Sequence, residues 1–286
     1  MTLFHSMSAV AYSTALAVAA LIWYGTGRQP LAVGWAFFKS LIQSRKYLLF
    51  FVAVMAILLL NKYELHLENW IDISYDLTGA LTGWEGAWQA GLQKALPFDG
   101  LIAICAVFYL VLFQATMIAS VGIYTYMQNM KLYYAICIAI LMNYLIAVPF
   151  YLFVPVNEAW HANSQIQFLM LNVFPTFEQN YRQLSGLNNC FPSLHTSLSV
   201  TLALLASRSG IRRWAAFAWI NAIVIVFSIF YLGIHWFTDM VAGVALAAFS
   251  AYVGMKLGAW AEGRAYSNPA LPARDNLEPS VGRVEN

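Results

Sequence analysis

Two polar clusters in an otherwise apolar chain carry residue types that can do chemistry. The first reads Asn188-Asn189-Cys190-Phe191-Pro192-Ser193-Leu194-His195-Thr196-Ser197. Pro192 suits the first turn of a helix, where its missing N–H is no loss. Asn189, Ser193 and the free amides of that turn would form an anion site, with His195 pointed at whatever anion sits there. The second cluster reads Tyr231-Leu232-Gly233-Ile234-His235-Trp236-Phe237-Thr238-Asp239. If the chain is helical from 235 onward, His235 and Asp239 stand one turn apart on one face. The carboxylate would take the hydrogen bond of one imidazole nitrogen, set the tautomer, and leave the other nitrogen as nucleophile or base. A lone buried histidine is more often a satisfied core residue. Two of them, each in a polar cluster at the end of an apolar run, point instead to a site.

The elements that must position these clusters are membrane spans. Of 286 residues, 61% are hydrophobic and 10% charged, and the mean hydropathy is +0.64. A soluble domain carries roughly 25% charged residues, so the sink for this much apolar side chain is a bilayer. Seven apolar runs are candidates, at about 7–24, 46–60, 99–122, 132–155, 193–207, 214–233 and 236–258. The first lacks a basic leading region and a small-residue cleavage pattern, so it reads as a span or anchor. The expected fold is therefore all-α, a polytopic transmembrane helix bundle. Cys105 and Cys137 lie inside apolar runs and Cys190 in a polar stretch, so no disulfide framework is implied.

Alternating the seven spans puts Arg28, Lys39, Arg45, Lys46, Lys131, Arg208, Arg212, Arg213, Lys256, Arg264, Arg274 and Arg283 on one side, against Lys62, Lys94 and Arg182 on the other. That asymmetry makes the richer side cytoplasmic. The expected protein is multi-pass in the cell or inner membrane, with both histidines at the non-cytoplasmic face and the C-terminus inside. Four regions follow: N-terminal spans and a basic cytoplasmic loop over 1–60, an outer segment over 61–98, a membrane core over 99–260, and a disordered cytoplasmic tail over 261–286. The outer segment, with Glu64, Glu68, Asp72, Asp76 and Glu85 among Trp70, Trp84 and Trp88, predicts an amphipathic helix on the outer surface, serving either as a packing lid or to gather substrate. Trp35, Phe37 and Phe38 predict a second interfacial segment on the inner side.

At its two clusters the sequence resembles the type 2 phosphatidic acid phosphatase superfamily. Phe191-Pro192-Ser193-Leu194-His195 is similar to that family's Pro-Ser-x-His motif. Ser228, His235, Asp239 and Gly243 are similar to its closing motif. The resemblance covers roughly 130–258 and implies a six-helix core, to which the first span is extra. It implies that His235 attacks phosphorus, that Asp239 orients it, and that His195 protonates the leaving oxygen. The intermediate would be a phosphohistidine, with no metal and no cofactor. Ser193, Asn189, Arg182 and Ser228 are the candidate substrate contacts.

The departures narrow the substrate. An Arg follows the motif Ser in the phosphatase branch; here that place is Ile229. Leu194 stands where a Gly precedes the first His, and no upstream Lys with a following Arg-Pro is present. A phosphate dianion wants such cations. The form seen here looks more like the inositol phosphorylceramide synthase and sphingomyelin synthase branch, which moves a singly charged phospho-headgroup between lipids. The expected partners are thus a lipid substrate and the membrane. Phosphatase action on phosphatidic acid or a polyprenyl phosphate, with water as acceptor, is the alternative.

Other classes fit less well. No basic stripe collects on any segment, which argues against nucleic acid. A proton-coupled transporter would need ionisable residues at mid-bilayer depth and on both sides, and the spans carry almost none. Glu158 and His161 have the Glu-x-x-His spacing of carboxylate metal sites. Without a second such pair they are expected on a loop near the site mouth.

Overall fold

The computed structural model describes residues 2–68, 76–182 and 186–266, with backbone only at 64–68 and 264–266. The described chain is helical and contains no strand, only an isolated parallel bridge between Val156 and Asn189. In chain order the helices are α1 (Met7–Thr26), α2 (Pro30–Gln43), α3 (Arg45–Glu68), α4 (Thr78–Ala95) and α5 (Asp99–Val107), which runs through a π-helical turn (Phe108–Leu112) into α6 (Phe113–Tyr126). Then come α7 (Met130–Phe153), two short pieces α8 (Ala159–Ala162) and α9 (Phe177–Tyr181), and α10 (Leu194–Ala206), α11 (Arg212–Tyr231) and α12 (Phe237–Tyr266).

Six stretches are long and apolar enough to cross a membrane: Met7–Thr26, Arg45–Tyr63, Asp99–Tyr126, Met130–Phe153, Arg212–Tyr231 and Phe237–Gly263. These and the shorter apolar α10 correspond to the seven expected runs, and they fit a multi-pass integral membrane protein. Local chemistry sets several of their starts. Ser6 caps α1 by accepting the Ala9 amide, and Asn129 caps α7 by accepting that of Leu132. Pro30 opens α2.

Helix α10 has 13 residues, so it is about 20 Å long, less than the roughly 30 Å hydrocarbon core. Its first residue, Leu194, packs against the buried Ala147, Tyr151 and Leu246. From Ala147, α7 continues to Phe153, roughly 9 Å further along its axis. The start of α10 therefore lies beside the last two turns of α7, and His195 with it.

The chain start joins one end of the bundle, where the Leu3 and Phe4 amides donate to the Val173 carbonyl. That end also holds α4, the loops between α7 and α10, and the turn between α11 and α12. At the opposite end, Tyr24 donates to the Arg213 carbonyl and Lys46 to that of Ala261. There too the Tyr47 and Tyr133 rings stack with centroids 3.7 Å apart. Arg28, Lys39, Arg45, Lys46, Lys131, Arg208, Arg212, Arg213 and Lys256 gather at this second end.

Two expected interfacial segments are helices with an unexpected orientation or extent. In α2, Leu31, Trp35, Phe38 and Ile42 are exposed along one stripe, while Phe37 turns in against Tyr47 and Phe51. In α4, Trp84 and Trp88 are 80% and 52% exposed, whereas Gln89 and Gln93 are buried. Its polar face looks into the protein and its indoles look out. The side chains of Glu64, Glu68, Trp70 and Asp72 lie outside the described residues. Helix α12 continues past the expected boundary of the tail to Tyr266; residues 267–286 lie outside the described residues.

Candidate active site

The turn after α11 is built to present His235. Ile229 accepts two amides, those of Ile234 and His235, through its one carbonyl. Gly233 adopts φ +83°, where a side chain is strained, and a Cβ there would stand 2.5 Å from the Gln167 carbonyl oxygen. The next loop braces the turn from outside: the Ala159 and Trp160 amides donate to the Ile234 and Gly233 carbonyls. The fully buried Trp236 donates its indole N–H to the Asn157 carbonyl.

Asp239 serves both helix and site. It lies in the first turn of α12 and accepts the Trp236 amide through Oδ2 at 2.9 Å, as a first-turn acid does in a capping box. The same oxygen lies 3.3 Å from His235 Nδ1. His235 is 4% exposed and Asp239 fully buried, and Asp239 Oδ1 has no hydrogen-bond partner among the described residues. The expected one-turn pairing of histidine and carboxylate is present in space.

Helix α10 brings the other histidine. Ser193 is its N-cap, accepting the Thr196 amide, and its own amide donates to the Asp239 backbone carbonyl at 3.1 Å. The two helices meet at Gly243, where a Cβ would sit 2.7 Å from the Ser193 carbonyl oxygen. Any larger residue would force the two motifs apart. The His195 ring stacks on Tyr109, with centroids 3.9 Å apart, and leans on Phe113 at 4.5 Å. Tyr109 lies in the π-helical turn, a feature that clusters at functional sites. The His195 and His235 centroids are 6.4 Å apart. That separation is too great for a direct hydrogen bond between the rings and close enough for one small group to bridge them.

Helix α4 closes the site from above. The Glu85 carboxylate accepts the Phe237 and Thr238 amides and the Thr238 hydroxyl. Gln89 donates to the Phe230 and His235 carbonyls at 3.0 and 3.1 Å. Gln93 donates to the Tyr231 and Gln167 carbonyls and accepts the Gln167 amide.

The remaining candidate contacts are placed as follows. Arg182 holds Glu158 through two nitrogens at 2.6 and 2.8 Å and Glu178 at 2.9 Å, above the rings of Phe168 and Phe177. Burial works against its charge, but the two carboxylates outweigh burial and raise its pKa above the ordinary arginine value. The cluster is one cation against two anions. Glu158 also accepts the Trp160 indole N–H, so this carboxylate is committed to that loop. Asn189 pairs with Val156 through the backbone, and its buried Oδ1 has no hydrogen-bond partner among the described residues. Ser228 lies within α11 and donates to the Val224 carbonyl.

Cys190, His235 and Asp239 offer ligand atoms within 4.8 Å of one another. The Cys190 thiol donates to the Ile234 carbonyl. Burial, and then the nearby Asp239 and Glu158 charges, push its pKa well up. Among the described residues, the buried carboxylates Glu158 and Asp239 and the buried His235 lie at one end of the bundle, which does not suit a relay of such groups across the membrane.

Comparison with known families bears on this geometry. A family model described as the PAP2 superfamily matches residues 80–253. The match takes in both histidines, Asp239 and most of α4, and begins well before the stretch that the motifs alone suggested. Neither curated proteins nor solved structures gave a match.

Proposed function

This chain belongs to the PAP2 superfamily, and from that premise we propose that it moves a phosphate-linked headgroup from one lipid to an alcohol through His235. Membership makes the chain a phosphatase-type phosphoesterase; the acceptor and the roles of the residues are our reading. The observation that carries it is the facing of the two imidazoles across 6.4 Å, with Asp239 on Nδ1 of one of them.

In the first step His235 Nε2 attacks phosphorus, the bond from phosphorus to the leaving oxygen breaks, and that oxygen takes a proton from protonated His195. Asp239 keeps the Nδ1 tautomer and offsets the positive charge that His235 gains. In the second step the now neutral His195 takes the acceptor hydroxyl's proton, the acceptor oxygen attacks phosphorus, and the N–P bond breaks. Free amides at the start of α10 would receive a phosphoryl oxygen. The stacking of Tyr109 and Phe113 on His195 fixes its ring for both steps.

Charge favours a diester substrate. Arg182 is outnumbered by the two carboxylates it holds, and the buried Ile229 stands where the phosphatase branch has a cation. A singly charged phosphodiester needs fewer cations than a phosphate dianion. The apolar spans that carry the site would let acyl chains stay in lipid. The excess of Lys and Arg at the opposite end supports a site on the non-cytoplasmic face and a cytoplasmic C-terminus.

The test is direct. Purified protein in detergent is offered a panel of phospholipids and polyprenyl phosphates, with free and lipid alcohols as acceptors. A headgroup-exchanged lipid is the expected product. Inorganic phosphate alone would make water the acceptor. Wild-type rates in both His235→Ala and His195→Ala would overturn the reaction scheme.

A further inference from the structure

Helix α4 turns three polar side chains at successive four-residue steps onto the chain that carries His235. We infer that Glu85 is a positioning residue for the His235–Asp239 pair, acting through the first turn of α12, with Gln89 and Gln93 fixing the chain on either side of His235. This deepens the reading above and rests on it only for the assay substrate.

The first four amides of a helix have no partner within the helix. In α12 the Trp236 amide at its entry is taken by Asp239, and the next two, Phe237 and Thr238, are taken by Glu85. Glu85 also holds the Thr238 hydroxyl. The hydrogen bonds that orient Asp239 toward His235 thus share one helical turn with those of a carboxylate from a different helix. Each bond is charge-assisted, and the negative charge lies at the positive end of the helix dipole.

The glutamines complete the grip. Gln89 spans the turn by bonding to the carbonyls of Phe230, before it, and His235 itself. Gln93 ties Tyr231 to Gln167, the residue whose carbonyl approaches Gly233. Apart from the Thr238 hydroxyl, the groups that these three side chains hold are backbone groups between Phe230 and Thr238 or in the loop behind them. The helix also buries Leu81 and Ala90 in a cluster with Val156, Ala159, Cys190 and Trp236, so the polar contacts come in addition to ordinary apolar packing, while Trp84 and Trp88 stay outside.

The inference separates geometry from binding, because Glu85 touches no reacting atom. Glu85→Ala frees three donors at once and lets the first turn of α12 shift. Displacement of a supported catalytic group commonly lowers turnover by about 10- to 100-fold. Glu85→Gln keeps an acceptor oxygen but loses the charge and one acceptor, so it is expected between alanine and wild type.

The experiment measures kcat and KM of wild type, Glu85→Ala and Glu85→Gln in detergent. Hydrogen exchange of the peptide covering 236–240 is followed on the same samples by mass spectrometry. The expected result is a fall in kcat with KM nearly unchanged, faster exchange confined to that peptide, and partial rescue by glutamine. Wild-type kcat in Glu85→Ala, or lost kcat without faster local exchange, overturns the inference. If Glu85→Ala does not elute as a folded species, Glu85→Gln decides by the same two readouts. If wild type turns over no member of the lipid panel, the functional reading fails on that result, and the exchange comparison alone judges the positioning role.

Discussion

Replacing Asp239 by Asn isolates the charge behind His235 while keeping its shape. Asn retains a carbonyl oxygen for the Trp236 amide, so the start of α12 stays capped and the fold is expected to survive. What is lost is the carboxylate 3.3 Å from His235 Nδ1. Both groups are buried, so solvent screens them little. At an effective dielectric near 20, a full positive charge on His235 at that distance is stabilised by about 5 kcal/mol. Forming the bond to phosphorus creates that charge on the ring. Each 1.36 kcal/mol is a tenfold change in rate, so kcat of Asp239→Asn should fall by about 10³- to 10⁴-fold. The assay is turnover of the active lipid in detergent, with thermal melting to confirm folding. A folded Asp239→Asn within tenfold of wild type would refute the placement of Asp239 behind a nucleophilic His235.

His195→Ala is expected to slow turnover by about 10²- to 10⁴-fold, and an artificial diester with a nitrophenolate leaving group, which needs no proton, should recover much of the first step. Gly243→Ala must push α12 away from the Ser193 carbonyl; it should lower stability by about 1–3 kcal/mol and separate the histidines, measured as a melting shift together with lost activity. Arg182→Ala leaves two carboxylates without their cation and should destabilise the loops by about 3–5 kcal/mol, the magnitude for breaking a largely buried pair. Because its folded pKa is raised, the stability Arg182 contributes is fully present below the ordinary arginine range and is lost only above it. The difference in melting temperature between wild type and Arg182→Ala should therefore persist from pH 7 to about 10.

The parts of the site that follow from short spacing were legible. His235 and Asp239 are four residues apart in sequence and do pair, although the helix expected from 235 begins at Phe237 and the contact is made through the cap that Asp239 forms with the Trp236 amide. Pro192 suited a first helical turn, but the helix begins two residues later, with Ser193 as its cap. The seven apolar runs likewise announce the bundle, because length and hydropathy suffice to define a span. What depends on contacts between distant segments was not legible. Tyr109 and Phe113 lie in an apolar run like any other, and nothing there marks them as the platform for His195. Helix α4 was expected to turn its acids to water, because tryptophans beside acids usually signal an interfacial helix. Its polar stripe instead meets unpaired amides of α12 that no local pattern reveals. The Glu178–Arg182 spacing of four was a usable signal that this arginine is already engaged; its second partner, Glu158, lies across the loop and was not. The turn at Gly233 required a left-handed residue, but only the structure gives the reason, the close approach of Gln167.

The central claim is that phosphorus is bonded to His235 during turnover. Rapid quenching of the protein with its active lipid, followed by proteolysis and mass spectrometry under alkaline conditions that preserve phosphoramidates, measures this directly. The expected result is an added phospho-headgroup on His235, absent from His235→Ala. An unmodified His235 in a sample that is turning over, or turnover by His235→Ala, would contradict the account.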